Sequence, residues 1–165
     1  MDLPLIITAT GHRPNRLGGY GDRIADALVL LAREYLQAHE PDSVIVGMAL
    51  GWDLAVAKAS QQLGIVTHAA VPFEGQESRW PEAQQRRYRE ALRLCSSVSV
   101  VSPGGYSSAA MHARDRWMVD RAQLILALWD GTPSGTGATV RYATDQGRPV
   151  LNLWPTWLHR AQRRS

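Results

Sequence analysis

The segment DGTPSGTGATVRYA, residues 130–143, carries the strongest chemical signal in the sequence. It lies between an apolar run, LILALW, and a predicted helix, and it is rich in glycine and hydroxyl side chains. A helix N-terminus presents backbone N–H groups without helical acceptors, and its dipole adds roughly half a positive charge. The segment matches neither the Walker motif nor G-x-G-x-x-G. It still predicts a phosphate site, formed by Gly131, Ser134, Gly135, Thr136, Gly137 and Thr139.

Three other loops that follow apolar runs contain residues able to contact a ligand. They are TGHRP, GMALGWD and PFEGQESRW. Two residues in them have two interpretations each: Asp53 either contacts a ribose hydroxyl or caps the next helix, and Trp80 either stacks on a base or fastens the next helix. The ligand-binding residues predicted from these loops are Gly11, His12, Arg13, Gly51, Asp53, Arg79 and Trp80.

Catalytic groups are harder to assign from the sequence. The predicted helix MHARDRWMVDRA carries Arg114 and Asp115 near its start, where they could point toward a cleft. Glu74 is a further candidate, so we treat Arg114, Asp115 and Glu74 as possible catalytic residues, with Arg114 also binding ligand. No His, Cys and acid spacing is typical of a metal site, and no G-x-S-x-G elbow is present. We therefore predict no metal and no cofactor.

The elements that must position these residues alternate regularly. Six short apolar runs are separated by helical patterns, and most runs are continuously apolar instead of alternating. This pattern is typical of a parallel sheet covered on both faces. We predict one domain over residues 1–165, an α/β Rossmann-like three-layer sandwich with a mostly parallel central sheet. Ligands in such sheets bind beyond the carboxyl ends of the strands, where all four loops lie.

Composition limits the classes of function. The 165 residues carry a net charge of +3, almost all the positive charge is arginine, and there is a single cysteine. No apolar stretch is long enough to span a bilayer, and no signal peptide is evident, so we predict a cytoplasmic protein. Single-strand binders interleave aromatic residues along a basic groove, a pattern that is weak here. We expect neither nucleic acid nor membrane as a partner, and a small molecule instead.

The loop motifs, taken in order, resemble those of the SLOG superfamily. TGHRP, GMALGWDLAVAKA, PFEGQESRW, RDRWMVDRAQLILALWDG and SGTGATVRYA look most like the YpsA-like branch of that Rossmann-like group. The group also contains the LOG cytokinin-activating enzymes and the DNA-processing protein DprA. The resemblance implies a nucleotide or nucleotide-derived ligand. It also implies a homo-oligomer, a dimer or larger, that pairs through helices beside the site; Trp117 and Met118 suit either such an interface or the core.

The sequence matches the Gly-Thr turn of the LOG pattern but not the two glutamates that follow it. MHARD matches the LOG helix motif at Met111, His112 and Arg114, and Gly135 and Thr136 match its Gly-Thr turn. The two LOG glutamates fall on Ala138 and Thr139. Glycosidic cleavage passes through an oxocarbenium-like transition state that a carboxylate stabilises, and Ala138 cannot supply one.

Three functions follow from these observations. The first is a nucleotide-binding protein that senses or sequesters its ligand through the Gly-Thr turn. The second is a nucleotide N-glycosidase related to LOG enzymes, in which Arg114 steadies the substrate. A carboxylate from another loop (Asp53, Glu74, Asp115 or Asp130) would then replace the missing glutamate. The third, ranked last, is single-stranded nucleic-acid binding as in DprA.

Overall fold

The predicted parallel sheet is confirmed. The computed structural model describes residues 2–164, with the side chain of Arg164 excepted. Within them, six strands form one sheet in the order β4-β3-β2-β1-β5-β6, and all five pairings are parallel. The strands are β1 Ile6–Gly11, β2 Ser43–Val46, β3 Val66–Val71, β4 Ser97–Val100, β5 Leu124–Leu128 and β6 Val150–Asn152.

Helices connect successive strands, as the alternating pattern predicts. A short 3-10 turn, Pro14–Arg16, precedes the first of them. The C-terminal segment, for which the sequence predicts no defined structure, forms a helix that starts next to Pro155, a residue tolerated in the first turn. The helices are α1 Asp22–His39, α2 Trp52–Gln62, α3 Glu82–Arg93, α4 Ser108–Arg121, α5 Gly135–Asp145 and α6 Trp154–Arg164.

The two faces of the sheet carry separate apolar clusters, because successive strand residues point to opposite faces. The main core combines strand residues such as Ile7, Val44 and Leu126 with side chains of α1, α2, α3 and α6. The alternate strand residues, Ile45 and Ile125 among them, pack instead against α4 and α5. The result is the expected three-layer Rossmann-like α/β sandwich.

The order of the strands creates a switch point beside β1. From β1 the chain builds outward through β2, β3 and β4, and it then returns to form β5 and β6 on the other side of β1. Neighbouring loops at such a point diverge, which opens a crevice at the carboxyl ends of the strands. The loops after β1, β2 and β5 meet there.

Two details of the predicted elements are wrong at the β2–α2 connection. The apolar run SVIVGMAL, residues 43–50, predicts a strand over its whole length, but β2 stops at Val46 and the following residues form a buried turn. Asp53 does not cap α2: the N-cap is Gly51, and Asp53 is the second helical residue. Gly51 adopts φ +92°, a conformation that glycine reaches without a steric cost. The helix can therefore begin directly after Gly51, two residues earlier than it would with Asp53 as the N-cap.

Candidate functional site

The loops after β1 and β5 are joined across the switch point. His12 is 4% exposed, and its Nε2 accepts a hydrogen bond of 3.0 Å from the backbone N–H of Asp130. Arg16 Nη1 lies 3.7 Å from an Asp130 carboxylate oxygen and donates to Thr132 Oγ1 at 2.9 Å. These contacts fix the start of the Gly-Thr turn against the first loop.

Asp130 builds this turn through one of its carboxylate oxygens. Its Oδ1 accepts from the Thr132 N–H at 3.0 Å and from the Thr132 hydroxyl at 2.5 Å, which is an Asx turn. The two hydrogen bonds from Thr132 are the main cause that lowers the pKa of Asp130 to about 2. A carboxyl with this pKa is ionised at neutral pH and is poorly suited to donate a proton there.

The loop after β2 and the end of β3 surround a buried cation. Arg114, on α4, is 3% exposed, and its Nη1 donates to the carbonyls of Gly47 and, at 3.4 Å, Ala70. Its Nε donates to Asp115 Oδ1 at 2.8 Å. The other Asp115 oxygen accepts from the Thr139 hydroxyl at 3.0 Å. A chain of polar groups therefore runs from the end of β2 to the first turn of α5.

Asp53 is the least satisfied member of this cluster. It is 6% exposed, Oδ2 accepts a long 3.4 Å bond from the Ala49 N–H, and Oδ1 is buried without a hydrogen-bond partner among the described residues. Burial raises the pKa of Asp53 to about 7, against the opposing field of Arg114 and with a further rise from Asp115. The carboxyl therefore changes its protonation state near physiological pH.

Close packing forces an unusual backbone in the turn after β2. Met48 is fully buried and adopts φ +64°, a left-handed conformation that costs a non-glycine residue on the order of 1 kcal/mol. A Cβ atom on Gly51 would lie 2.5 Å from the His12 carbonyl oxygen, and one on Gly47 would lie 2.9 Å from the Arg114 guanidinium. Both glycines therefore allow the loops and the buried arginine to approach each other.

The first turn of α5 has backbone amides without an acceptor inside the helix. Ser134 is its N-cap, and the serine hydroxyl accepts from the Gly137 N–H at 3.0 Å. Gly135 and Thr136, the first helical residues, come before any intrahelical acceptor for their N–H groups. Gly135 is exposed, and a Cβ there would meet no heavy atom within 4 Å. The Thr136 and Thr139 side chains are buried beneath this turn.

The other predicted site residues have varied surroundings. Gly131 and Arg13 are exposed at the mouth of the crevice. A Cβ on Gly11 would lie 2.5 Å from Trp52, so packing of that indole explains this glycine without a ligand. Ser134, Gly137 and Asp115 remain partly or fully covered within the turn region.

The β3–α3 loop contributes less to the cluster than its sequence suggests. Glu74 and Arg79 are exposed, while Trp80 packs edge-on against Tyr88, with ring centroids 5.4 Å apart, and joins the edge of the core. This packing favours the interpretation in which Trp80 fastens the next helix. Met118 is likewise a core residue, packed near Ile45.

Several residues of the site escape prediction from the sequence. Gln76 is 8% exposed and donates to the Gly47 carbonyl at 3.1 Å, beside Arg114. Met48 and Arg16 carry no local signal, because their roles depend on loops that meet only in the folded chain. The Asx turn of Asp130 could have been found, since an Asp two residues before a Thr in a glycine-containing loop is a turn signal.

A cavity of about 570 Å³ lies away from this cluster, between α1, α2 and α3. Apolar side chains such as Ile24, Leu54 and Ala91 form much of its wall, and its rim reaches Pro14 and Gly51. We assign the candidate site to the strand ends instead, because buried charged groups collect there and are costly to bury without a function.

The geometry defines a class of protein: a Rossmann-like α/β domain with a polar site at its switch point. The model of the YpsA family, described as the YspA SLOG family, matches residues 7–148. The chain therefore belongs to the YpsA family of the SLOG superfamily, as its loop motifs suggest.

One curated relative is itself described as uncharacterized. The chain is 28% identical over 151 residues to the uncharacterized SPbeta prophage-derived protein YoqJ of Bacillus subtilis strain 168. This match covers 81% of the chain and 88% of YoqJ.

No helix among residues 2–164 is both long and apolar enough to cross a membrane.

Two solved structures share the fold at low sequence identity. DprA from Helicobacter pylori, described for its single-stranded DNA binding mode, superposes with a TM-score of 0.64 at 18% identity. The match covers 89% of this chain and 64% of DprA, so the chain spans less than two thirds of that protein. The molybdenum cofactor carrier protein of Chlamydomonas reinhardtii gives 0.59 at 19% identity, with coverage of 90% and 75%. The expectation that nucleic acid is not a partner finds no support here, since one of these proteins binds it.

Proposed function

We propose that this protein binds a nucleotide or nucleotide-derived small molecule at the carboxyl ends of β1, β2 and β5, and acts as a sensor or sequestering protein. The observation that carries the proposal is the hydrogen-bonded chain Gly47–Arg114–Asp115–Thr139, which ends in the first turn of α5. The buried Asp53 carboxyl lies in the electrostatic field of Arg114 at the other end of this chain. A fold gains no stability from orphaned buried charge, so such clusters are typical of functional sites.

The phosphate would bind at the first turn of α5. The N–H groups of Gly135 and Thr136 would donate to it, and the helix dipole favours an anion at this position. Arg13 and Arg16 are both exposed at the mouth and add positive charge on the same side of the sheet. The Asx turn of Asp130 holds the loop in shape before the ligand arrives, which lowers the entropic cost of binding.

The sugar and base would extend toward the turn after β2. Asp53 lies there with one carboxylate oxygen that receives no hydrogen bond from the part of the chain that the structure describes. A ligand hydroxyl would supply that donor once the turn opens enough to admit it. This direction follows the crevice from β5 across β1 to β2, along the predicted residues Gly11, His12, Arg13 and Gly51.

The test is thermal unfolding of the purified protein with a panel of nucleoside mono-, di- and triphosphates. A ligand at about 100 times its Kd adds about 2.7 kcal/mol, which for a domain of this size raises Tm by roughly 5–10 °C. We expect Gly135→Val to abolish this increase, because the valine side chain covers the amides while the fold has room for it.

Gly105→Val is the matched control. Gly105 is also exposed, and a Cβ there would likewise meet no atom within 4 Å. This variant should keep the full increase in Tm. If Gly135→Val and wild type respond equally to a stabilising nucleotide, the phosphate does not bind at α5 and the proposal is wrong.

A second candidate function, cleavage of the N-glycosidic bond of a nucleotide, is favoured by one observation. Thr139, which occupies the position of a LOG glutamate, holds the Asp115 carboxylate at 3.0 Å, so that an acid from α4 reaches the place of the missing side chain. Asp53, with its pKa near 7, could protonate the departing base as the C–N bond breaks, while water supplies the new oxygen on the sugar.

Product analysis separates this function from binding alone. Nucleoside monophosphates and NAD would be incubated with wild type, Asp115→Asn and Asp53→Asn, and free base would be measured by chromatography. Release of base by wild type and its loss in both variants would support cleavage. A nucleotide that stabilises the protein yet stays intact would leave binding as the function.

Single-stranded nucleic acid is a third candidate, on a different surface. Arg79, Arg86, Arg89 and Arg93 are all exposed on or next to α3. Binding of an oligonucleotide through such a stripe would weaken steeply with added salt, because each neutralised phosphate releases counterions. Replacing Arg86 and Arg89 by Gln should then reduce the slope by about 2, and an unchanged slope would exclude this surface.

A further inference from the structure

The outer strand β4 has an unprotected edge. Among residues 2–164 it pairs with β3 alone, and three of its four residues are exposed. Val98 is 47% exposed and Val100 is 52% exposed. Parallel sheets are normally covered on both faces, so apolar strand residues with this exposure need an explanation.

The exposed valines belong to the face that α3 should cover. The register sets Val98 beside Ala69 and Val100 beside Val71, and both neighbours point into the main core on the α1, α2 and α3 side. Yet in the described chain Tyr88 is the single buried residue of α3, and Leu94, just after the helix, is 55% exposed. Val98 and Val100 are thus uncovered apolar side chains on this face of the sheet, and Leu94 is a further exposed apolar residue after α3.

The opposite edge of the sheet, at β6, is protected against pairing with a further strand. β6 has three residues and follows Pro149. The Asn152 side chain makes two hydrogen bonds to the Trp129 backbone, at 3.1 and 2.9 Å. Short length and proline are common means of blocking unwanted pairing. By contrast, residues 95–102 around β4, CSSVSVVS, contain no charged residue and no proline.

We propose that the β4 edge pairs antiparallel with the β4 edge of a second copy of this chain, about a two-fold axis at Ser99. The sequence Val98-Ser99-Val100 is self-complementary in this arrangement. Each Val98 lies opposite Val100 of the second copy, the two Ser99 residues face each other, and all four valines share one face. Cross-strand pairs of this kind stabilise a sheet.

The absence of charge along the edge also fits a second copy as the partner. Residues 95–102 contain no Asp, Glu, Lys, Arg or His, so a two-fold contact centred on Ser99 sets no like charges against each other there, and nothing in this segment would select a charged partner. The pairing would join two six-stranded sheets into one continuous sheet and remove the exposed edge.

Light scattering coupled to size exclusion tests the pairing. Wild type at micromolar concentration should have twice the 18.2 kDa mass of one chain. The double variant Val98→Lys/Val100→Lys should have the mass of a monomer, since four lysines would meet across the edge. The control Leu30→Lys/Leu158→Lys alters residues that are 64% and 46% exposed elsewhere, and it should remain a dimer. Circular dichroism would check that all three remain folded.

Cross-linking tests the register. In a Cys95→Ser background, Ser99→Cys places two thiols on opposite strands, within the Cβ separations that antiparallel neighbours and disulfides share. It should form a disulfide-linked dimer under mild oxidation, whereas Leu30→Cys in the same background should not. A monomeric wild type would overturn the proposal, and so would a dimer that survives the lysine variant and leaves Ser99→Cys unlinked.

Discussion

The turns after β2 and β5 flank the central strand β1, and each carries an aspartate, yet the two carboxyls are in opposite situations. Asp130, after β5, receives two hydrogen bonds from Thr132, and its pKa is lowered to about 2. Asp53, after β2, has a buried oxygen with no hydrogen-bond partner among residues 2–164, and its pKa is raised to about 7. Asp130 therefore stabilises its turn through hydrogen bonds, whereas Asp53 is buried in its turn with one oxygen that receives no hydrogen bond from the described residues.

The difference separates the proposed binding site into a rigid half, the turn after β5, and a responsive half, the turn after β2. The β5–α5 turn is held in shape by its own hydrogen bonds and by His12 and Arg16, so its amides are preorganised for an anion. The β2–α2 turn keeps a strained Met48 and an acid that gains or loses a proton near neutral pH. Unsatisfied and strained groups of this kind cost stability and collect at functional sites.

The largest expected effect comes from removing the cation that holds the responsive half together. Arg114→Met leaves two neighbouring aspartates and the Gly47 carbonyl without their buried partner, and it should lower the free energy of unfolding by about 3–5 kcal/mol at pH 8. Urea titration measures this. Arg116→Met, at an exposed arginine 5.4 Å from the Tyr142 ring, should cost no more than about 1 kcal/mol. Equal losses in the two variants would mean that the buried cluster has no special role.

A gain in stability is expected at Asp53. The folded state holds the Asp53 proton up to about pH 7, while the unfolded chain releases it near pH 3.8, so the unfolded state binds fewer protons between these values. Wild type therefore loses stability at this residue as pH rises from about 4 to about 7. Asp53→Asn avoids that cost and should be more stable at pH 8, by on the order of 4 kcal/mol at most.

Denaturant titrations of both proteins from pH 4 to pH 8 measure the Asp53 effect. The difference between wild type and Asp53→Asn should shrink toward pH 4. A variant that is less stable than wild type at pH 8 would contradict the assignment of Asp53 as an unsatisfied acid.

The smallest effect is expected at Asp130, in the rigid half. Substitution of Asp130 should lower stability, whereas Asp53→Asn should raise it. The contribution of Asp130 to stability grows as pH rises, whereas that of Asp53 falls. Asp130→Ala removes the hydrogen bonds of the Asx turn and should cost about 1–2 kcal/mol at neutral pH. Because its folded pKa lies below the unfolded value, this contribution is present above about pH 4 and is lost as pH falls toward about 2. Urea titrations at pH 7 and pH 3 should show the cost shrinking in acid, and a cost that grows would be inconsistent with a lowered pKa.

The sequence predicts the rigid half better than the responsive half. The Gly-Thr turn, its position after an apolar run and the helix that follows are local patterns, and all of them appear in the structure at the predicted residues. The alternating strands and helices are also local, which is why the Rossmann-like sheet could be predicted from periodicity.

The responsive half depends on contacts between distant residues, and these leave no local pattern. Arg114 is buried because Gly47, Ala70 and Asp115 surround it, at separations of up to 67 residues along the chain. Asp53 has the sequence position of a helix cap, and only the φ of Gly51 moves the helix start ahead of it. The covering of Trp80 by Tyr88 is likewise a tertiary contact.

The most direct test of the central claim is a map of backbone amide chemical shifts during titration with a nucleotide that stabilises the protein. The account predicts that the largest shift changes fall on Gly131, Gly135 and Thr136, with smaller ones on the turn after β2. Residues on β4 and along the α1–α3 cavity should remain unchanged. Largest changes in that cavity, with the amides of Gly135 and Thr136 unaffected, would contradict a nucleotide site at the strand ends.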